Sequence, residues 1–255
     1  MFRVRQLLAF LMLCACAGQA SGPAGTVPSS ASAPPKSVDY YALPADEFFK
    51  RPEPRERIKK DSFDQALLDA AIFQQTNRER VANKLPILKH SNALQLMARR
   101  HSQEMSDLQF FEHTSPTAAN RTLGDRLRNV GLVNVTAGEN IAVLPAKEMG
   151  SGHYLVKDNP DGSETWIDEA NGKQIDYYTY EELSKAVVTQ WMNSPAHHAN
   201  MVNKAFIYLG VGAARGPYSD LKQDSFYMTQ NFSATITPAS EEKAKGLLQP
   251  AARGK

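Results

Sequence analysis

Trp191-Met192-Asn193-Ser194-Pro195-Ala196-His197-His198-Ala199-Asn200-Met201 combines an indole, a helix break and two imidazoles within a few residues. Ala186, Val187, Gln190 and Trp191 share one helical stripe, so a helix is expected to end near Met192, where Asn193, Ser194 and Pro195 break it and cap the next. His197 then falls in the first turn of a new short helix. Burying the Trp191 ring, about 200 Å2 at about 25 cal/mol per Å2, stabilises a fold by at most about 5 kcal/mol. Such an anchor fixes the turn, and with it the direction of His197.

Upstream, apolar residues at Phe63, Leu67, Ala70, Ala71 and Val81 predict a first helix over Phe63 to Lys84, with Asp61 or Asp64 at its start and Pro86 beyond its end. Ser91 is a natural N-cap for a second helix, along which Leu94, Met97, Ala98, His101, Met105 and Leu108 recur on one face. On that stripe His101 reads as a core histidine with one satisfied hydrogen bond. Phe110-Phe111-Glu112-His113-Thr114-Ser115-Pro116 leaves the helix, which places His113 on a loop beside two apolar rings. Thr122 to Val130 predicts a short helix stopped by Gly131, and Gly138-Glu139-Asn140-Ile141-Ala142-Val143-Leu144 the entry to a strand. A buried acid at Glu139 costs several kcal/mol, roughly, unless it is paired. Imidazoles are the expected partners.

Runs at His153 to Lys157, Ser163 to Asp168 and Lys173 to Tyr178, separated by Asp158-Asn159-Pro160-Asp161-Gly162 and Glu169-Ala170-Asn171-Gly172, predict a small meander or hairpin. Thr179 and Glu182 form a capping box for the helix that ends at Trp191. Phe206 to Ala213 and Ser225 to Phe232 read as the closing strands, linked through Gly216-Pro217-Tyr218. Gly210-Val211-Gly212 is no dinucleotide loop, because the third glycine is out of register and Pro217 follows instead of a helix. The segment from residue 236 to 255 reads as a disordered polar tail.

With 255 residues and 42% hydrophobic content, the chain can bury one sizeable core. Met1 to Ala20 has a basic start, an apolar run and small residues after it, the layout of a secretory signal, so export is expected. Without Arg3 and Arg5 the 29 basic residues fall to 27, level with the 27 acidic ones, so long-range attraction to nucleic acid is not expected. Both cysteines, Cys14 and Cys16, lie in this leader, which leaves the folded part without a thiol. Leu13-Cys14-Ala15-Cys16 resembles a bacterial lipobox in which Cys16 carries the lipid; cleavage after Ala20 with release is the alternative. The expected division is a signal peptide over 1–16, a flexible tether and extension over 17–60, of which 38–60 either docks on the domain or stays loose, a domain over 61–235 with an insert at 147–178, and the tail.

Phe111-Glu112-His113-Thr114-Ser115-Pro116, Gly138-Glu139-Asn140-Ile141-Ala142, the 191–200 stretch and Leu209-Gly210-Val211-Gly212, in this order, resemble the signatures of the CAP superfamily, the cysteine-rich secretory, antigen-five and pathogenesis-related proteins, in its bacterial branch. The resemblance spans about Phe63 to Ser233. It implies an α+β fold, a three-layer α-β-α sandwich with a small, mainly antiparallel central sheet. It also implies a cleft with two histidines and acidic residues that binds a divalent metal in some relatives. His113, Glu139 and His197 match three of those four positions. Ser194 stands where many eukaryotic relatives have a Glu three residues after the Trp.

Two imidazoles and a carboxylate leave open positions on a divalent ion, zinc being the most fitting, as catalytic zinc sites do. A structural network in which Glu139 pairs with His113 or His197 uses the same residues. No Gly-x-Ser-x-Gly, no His-Glu-x-x-His and no mature cysteine signals a nucleophile. The resemblance favours an exported binding module, in the periplasm, on the cell envelope or secreted, for a lipid, a peptide or an envelope ligand, because members with this site are extracellular and generally lack an established common reaction. The rival is a metal-dependent hydrolase with Glu139 as general base.

Overall fold

The computed structural model describes residues 2–7, 38–60, 62–150, 152–160, 164–219 and 223–248. In chain order the elements are β1 (Phe2–Leu7), α1 (Ala45–Lys50), α2 (Gln65–Ala82), β2 (Lys89–His90), α3 (Asn92–Leu108), α4 (Leu123–Asn129) and β3 (Ala137–Pro145), followed by β4 (Gly152–Asp158), β5 (Glu164–Asp168) and β6 (Gln174–Ile175). Then come α5 (Tyr180–Met192), α6 (Pro195–Met201), β7 (Tyr208–Tyr218), β8 (Gln223–Ser233) and α7 (Pro238–Leu248). The chain divides into two compact units, one drawn from Met1–Asp39 and Met149–Ile175, the other from Tyr40–Glu148 and Asp176–Lys255. Cys14, Cys16 and the Ser/Pro-rich tether up to Ser37 lie outside the described residues.

The larger unit is built on a sheet of order β2-β7-β8-β3, antiparallel except for the short parallel pairing of β2 with β7. Leu209, Val211 and Ala213 point from β7 into a core shared with Leu68 and Ile72 of α2 and Val187 and Trp191 of α5. Alternation turns Gly210 and Gly212 to the opposite face. There an added Cβ would lie 2.0 Å from the Gln95 backbone N and 2.1 Å from that of Arg99, so only glycine lets the α3 backbone lie directly on the strand. Helices on both faces give the three layers expected for an α-β-α sandwich. Ser91 caps α3 by accepting from Leu94 N, Asp64 caps α2 through Leu67 N, and Thr179 with Glu182 forms the capping box of α5.

One open alternative is decided and two expectations are corrected. Residues 38–60 dock on the domain: Phe48, Phe49 and Ile58 are buried, Ile58 N donates to Tyr178 O, and the Gln74 amide donates to Tyr40 O and Leu43 O. Two adjacent phenylalanines and two tyrosines carry enough apolar surface to order this stretch. The tail after residue 236 is helical over Pro238–Leu248, with Ala244 buried, because Glu241 accepts hydrogen bonds at the start of α3. Gly216 and Pro217 do not form the link between the closing strands but continue β7 to Tyr218, paired with Ser225 and Asp224.

The smaller unit is an antiparallel sheet of order β1-β4-β5-β6. Tyr154, Val156 and Trp166 form its core with Met149 and Ile175, and the expected meander is present.

Candidate functional site

The sheet register decides which residues meet. Gly210 pairs with Asn231, and Asn231 with Glu139, so these three share the face that α3 covers. One residue on, Asn140 and Gln230 face the other layer, where their side chains bond at 3.1 Å and Gln230 donates to Thr76 Oγ1 of α2. β3 is an edge strand, and the 191–201 stretch closes its open side: Trp191 Nε1 donates to Ile141 O at 3.0 Å and Asn200 Nδ2 to Glu139 O at 3.2 Å. Asn140 Nδ2 in turn donates to His197 O at 3.2 Å. The fully buried indole therefore ties α5 and α6 to the strand that carries Glu139.

Glu139 is buried, its side chain 3% exposed, and its oxygens are taken. Arg126 Nη2 donates to both at 2.7 Å, and His113 Nδ1 lies 2.9 Å from Oε1. With its amide oriented to satisfy both ends, Asn231 donates to Oε2 at 3.1 Å and accepts from Ala98 N. Burial pushes the carboxyl up, but the His113 hydrogen bond and the Arg126 charge outweigh it and hold Glu139 below the usual range. It is an ionised acceptor, not an acid with a proton to exchange. Arg126 comes from α4, whose capping box at Thr122 and Asp125 sets the helix start; its Nη1 also holds His113 O at 3.1 Å and Asn120 O at 2.9 Å.

His113 sits on the loop after α3 with its side chain 54% exposed, so one ring nitrogen faces Glu139 and the other remains for the cleft. His197 is half-buried in the first turn of α6, and its Nδ1 has no hydrogen-bond partner among the described residues. Burial lowers its pKa first, and the charge of His113 lowers it further. Ser194 takes the N-cap position of α6, but its side chain makes no cap hydrogen bond and no bond to Glu139 among the described residues. Among the described residues no three His, Cys, Asp or Glu side chains are grouped as metal ligands. The donor set explains this: Arg126 and Asn231 occupy the oxygens that a metal would need.

The family model for CAP, the cysteine-rich secretory protein family, matches residues 138–232, from the glycine before Glu139 through α5, α6 and both closing strands. Over these residues the chain is similar to the CAP family. It is 31% identical over 141 residues to the uncharacterized protein YkwD of Bacillus subtilis (strain 168), a match taking in 55% of this chain and 40% of that one, so it spans well under half of this relative. Among solved structures it is similar to an extracellular protein containing a SCP domain from Bacillus anthracis str. Ames, with 27% identity, TM-score 0.44, and coverage of 66% of this chain and 41% of that one. It is also similar to an outer surface protein from Borrelia burgdorferi, with 15% identity, TM-score 0.43, and coverage of 67% and 95%.

In this site the sequence pointed to the carboxylate and the imidazoles but not to Arg126, Asn231 and Asn200. Arg126 left a faint signal, a cation beside Leu127 on the inner face of a helix of about two turns. The asparagines left none, because their partners depend on strand register.

Proposed function

We infer that this chain is an exported binding module whose cleft presents His113 and His197 to its ligand, with Glu139 as the carboxylate that orients His113. The observation that carries this reading is the saturation of Glu139 by Arg126, His113 and Asn231, which leaves no lone pair directed at a water. A general base needs an open lone pair and a pKa near the working pH, whereas Glu139 is bonded on both oxygens and pulled down. Binding is therefore favoured over the hydrolase. Export is supported by the leader over 1–16, with Cys16 as the point of a lipid anchor.

For a divalent metal the residues fit in part. Two imidazoles, His113 through the nitrogen that Glu139 leaves over and His197, form a pair that would hold zinc with open positions for an envelope ligand. Glu139 would act from behind His113, as carboxylates behind metal-bound histidines do. Bound there, the ion would supply a Lewis-acidic contact for an anionic or carbonyl group of the ligand. Metal analysis and zinc titration of the purified protein test this: His113→Ala and His197→Ala should each abolish stoichiometric binding at an unchanged far-UV spectrum. Binding that survives both substitutions would place the metal elsewhere, and no binding by the wild type would leave the cleft a metal-free site.

A further inference from the structure

His101 and Arg126 both lie beside Glu139. With Glu104, Asn120, Met97 and Val130 they line a small cavity of about 10 Å3. Three of these residues each bring a buried polar atom without a hydrogen-bond partner among the described residues: His101 Nδ1, Glu104 Oε2 and Arg126 Nε. Buried polar groups are seldom left unpaired, and three from residues around one cavity point to a shared partner.

The chemistry of that partner follows from the bonds already made. His101 Nε2 lies 3.2 Å from Glu112 O, which can only accept, so Nε2 carries the hydrogen. Nδ1 is then the acceptor nitrogen of this tautomer. Arg126 has spent Nη1 on His113 O and Asn120 O and Nη2 on Glu139, which leaves the Nε hydrogen as a donor. Glu104 Oε1 receives Asn120 Nδ2 at 3.4 Å, and Oε2 is a second acceptor. The occupant must donate twice and accept once within a volume of one water molecule. A cation cannot accept from Arg126, and an anion cannot donate to His101 and Glu104.

We propose that one ordered water molecule is a built-in part of the site, donating to His101 Nδ1 and Glu104 Oε2 and accepting from Arg126 Nε. It fixes the Arg126 side chain and thereby the clamp on Glu139 that orients His113. It also explains why a helix position on the core stripe carries a histidine and not a leucine: one ring nitrogen serves the Glu112 carbonyl and the other serves the water. The inference stands whether or not a metal binds in front of His113.

A high-resolution crystal structure of the metal-free wild type tests it. Density for one water within about 2.6–3.2 Å of all three atoms is expected. Absence of density there, or direct bonding among the three side chains, overturns the proposal. In solution, imidazole 15N shifts should report His101 as the neutral Nε2–H tautomer at neutral pH, and an Nδ1–H tautomer would equally overturn it. His101→Phe removes the acceptor and should lose the water. A water held unchanged in that variant counts against the assignment, and if the variant does not fold, the wild-type density and tautomer decide.

Discussion

His101 and Glu139 approach to 3.9 Å on the α3 side of the sheet, and the charge of the Arg126 guanidinium acts on both. It adds to the burial that lowers His101 to about 4, and it keeps Glu139 ionised. Removing one partner of a buried pair leaves the other charge uncompensated, so Arg126→Met should cost about 3–5 kcal/mol in urea unfolding. Arg126→Lys should recover little, because one ammonium cannot reach Glu139, His113 O and Asn120 O together. A loss under about 1 kcal/mol would mean that Glu139 is solvated in solution. His101 predicts a pH dependence. Its folded pKa of about 4 lies below the unfolded 6.5, so the folded state binds fewer protons between these values. The contribution, at most about 3 kcal/mol, is fully present above pH 6.5 and lost as pH falls towards 4. Asp69, raised to about 6 by burial, acts in the opposite sense. The test is therefore a comparison of unfolding free energies from pH 4 to 7, which should rise with pH less steeply in His101→Phe than in the wild type.

At the scale of elements, the site depends on how edges and ends are closed. The carbonyls of the β3 edge are taken by Trp191 and Asn200, so the stretch that looked unusual in the sequence works as a clasp on the strand beside it. The N-terminus of α3 carries a second closure: Glu241 of α7 accepts from Asn92 N at 2.8 Å and Ala93 N at 3.2 Å, and from the Ser91 hydroxyl. A carboxylate on the free N–H groups of a helix is worth about 1–2 kcal/mol, so Glu241→Ala should lower the unfolding free energy by that amount. An unchanged midpoint would show that Ser91 alone suffices. The caps at Ser91, Asp64 and Thr179 were legible because a cap and its helix are neighbours in sequence. Glu241 was not, since 149 positions separate it from Asn92 and nothing local distinguishes it from a solvated acid.

For the whole molecule, Met149–Ile175 of the insert belongs to the smaller compact unit, and the roots of the insert are joined inside the larger one. Glu148 N donates to Asp176 O at 3.1 Å, and Lys147 bridges to Tyr177. Replacing 150–174 by a short Gly-Ser linker should therefore leave cooperative thermal unfolding of the larger unit within about 1 kcal/mol of the wild type, because loop closure depends weakly on length. Loss of the cooperative transition would make the insert part of the core. By itself the sequence determined the order of α2 to α6, the caps at Ser91 and Thr179, the break at Ser194-Pro195 and the placement of Glu139 among apolar neighbours, since all of these rest on periodicity and bonding over a few residues. Only the tertiary structure decided that Arg126 and Asn231 take the carboxylate, that Phe48 and Phe49 belong to the core, and that α7 caps α3. A buried charge is compensated by whichever group strand register and layer packing bring to it, and that choice is made across the sheet, not along the chain.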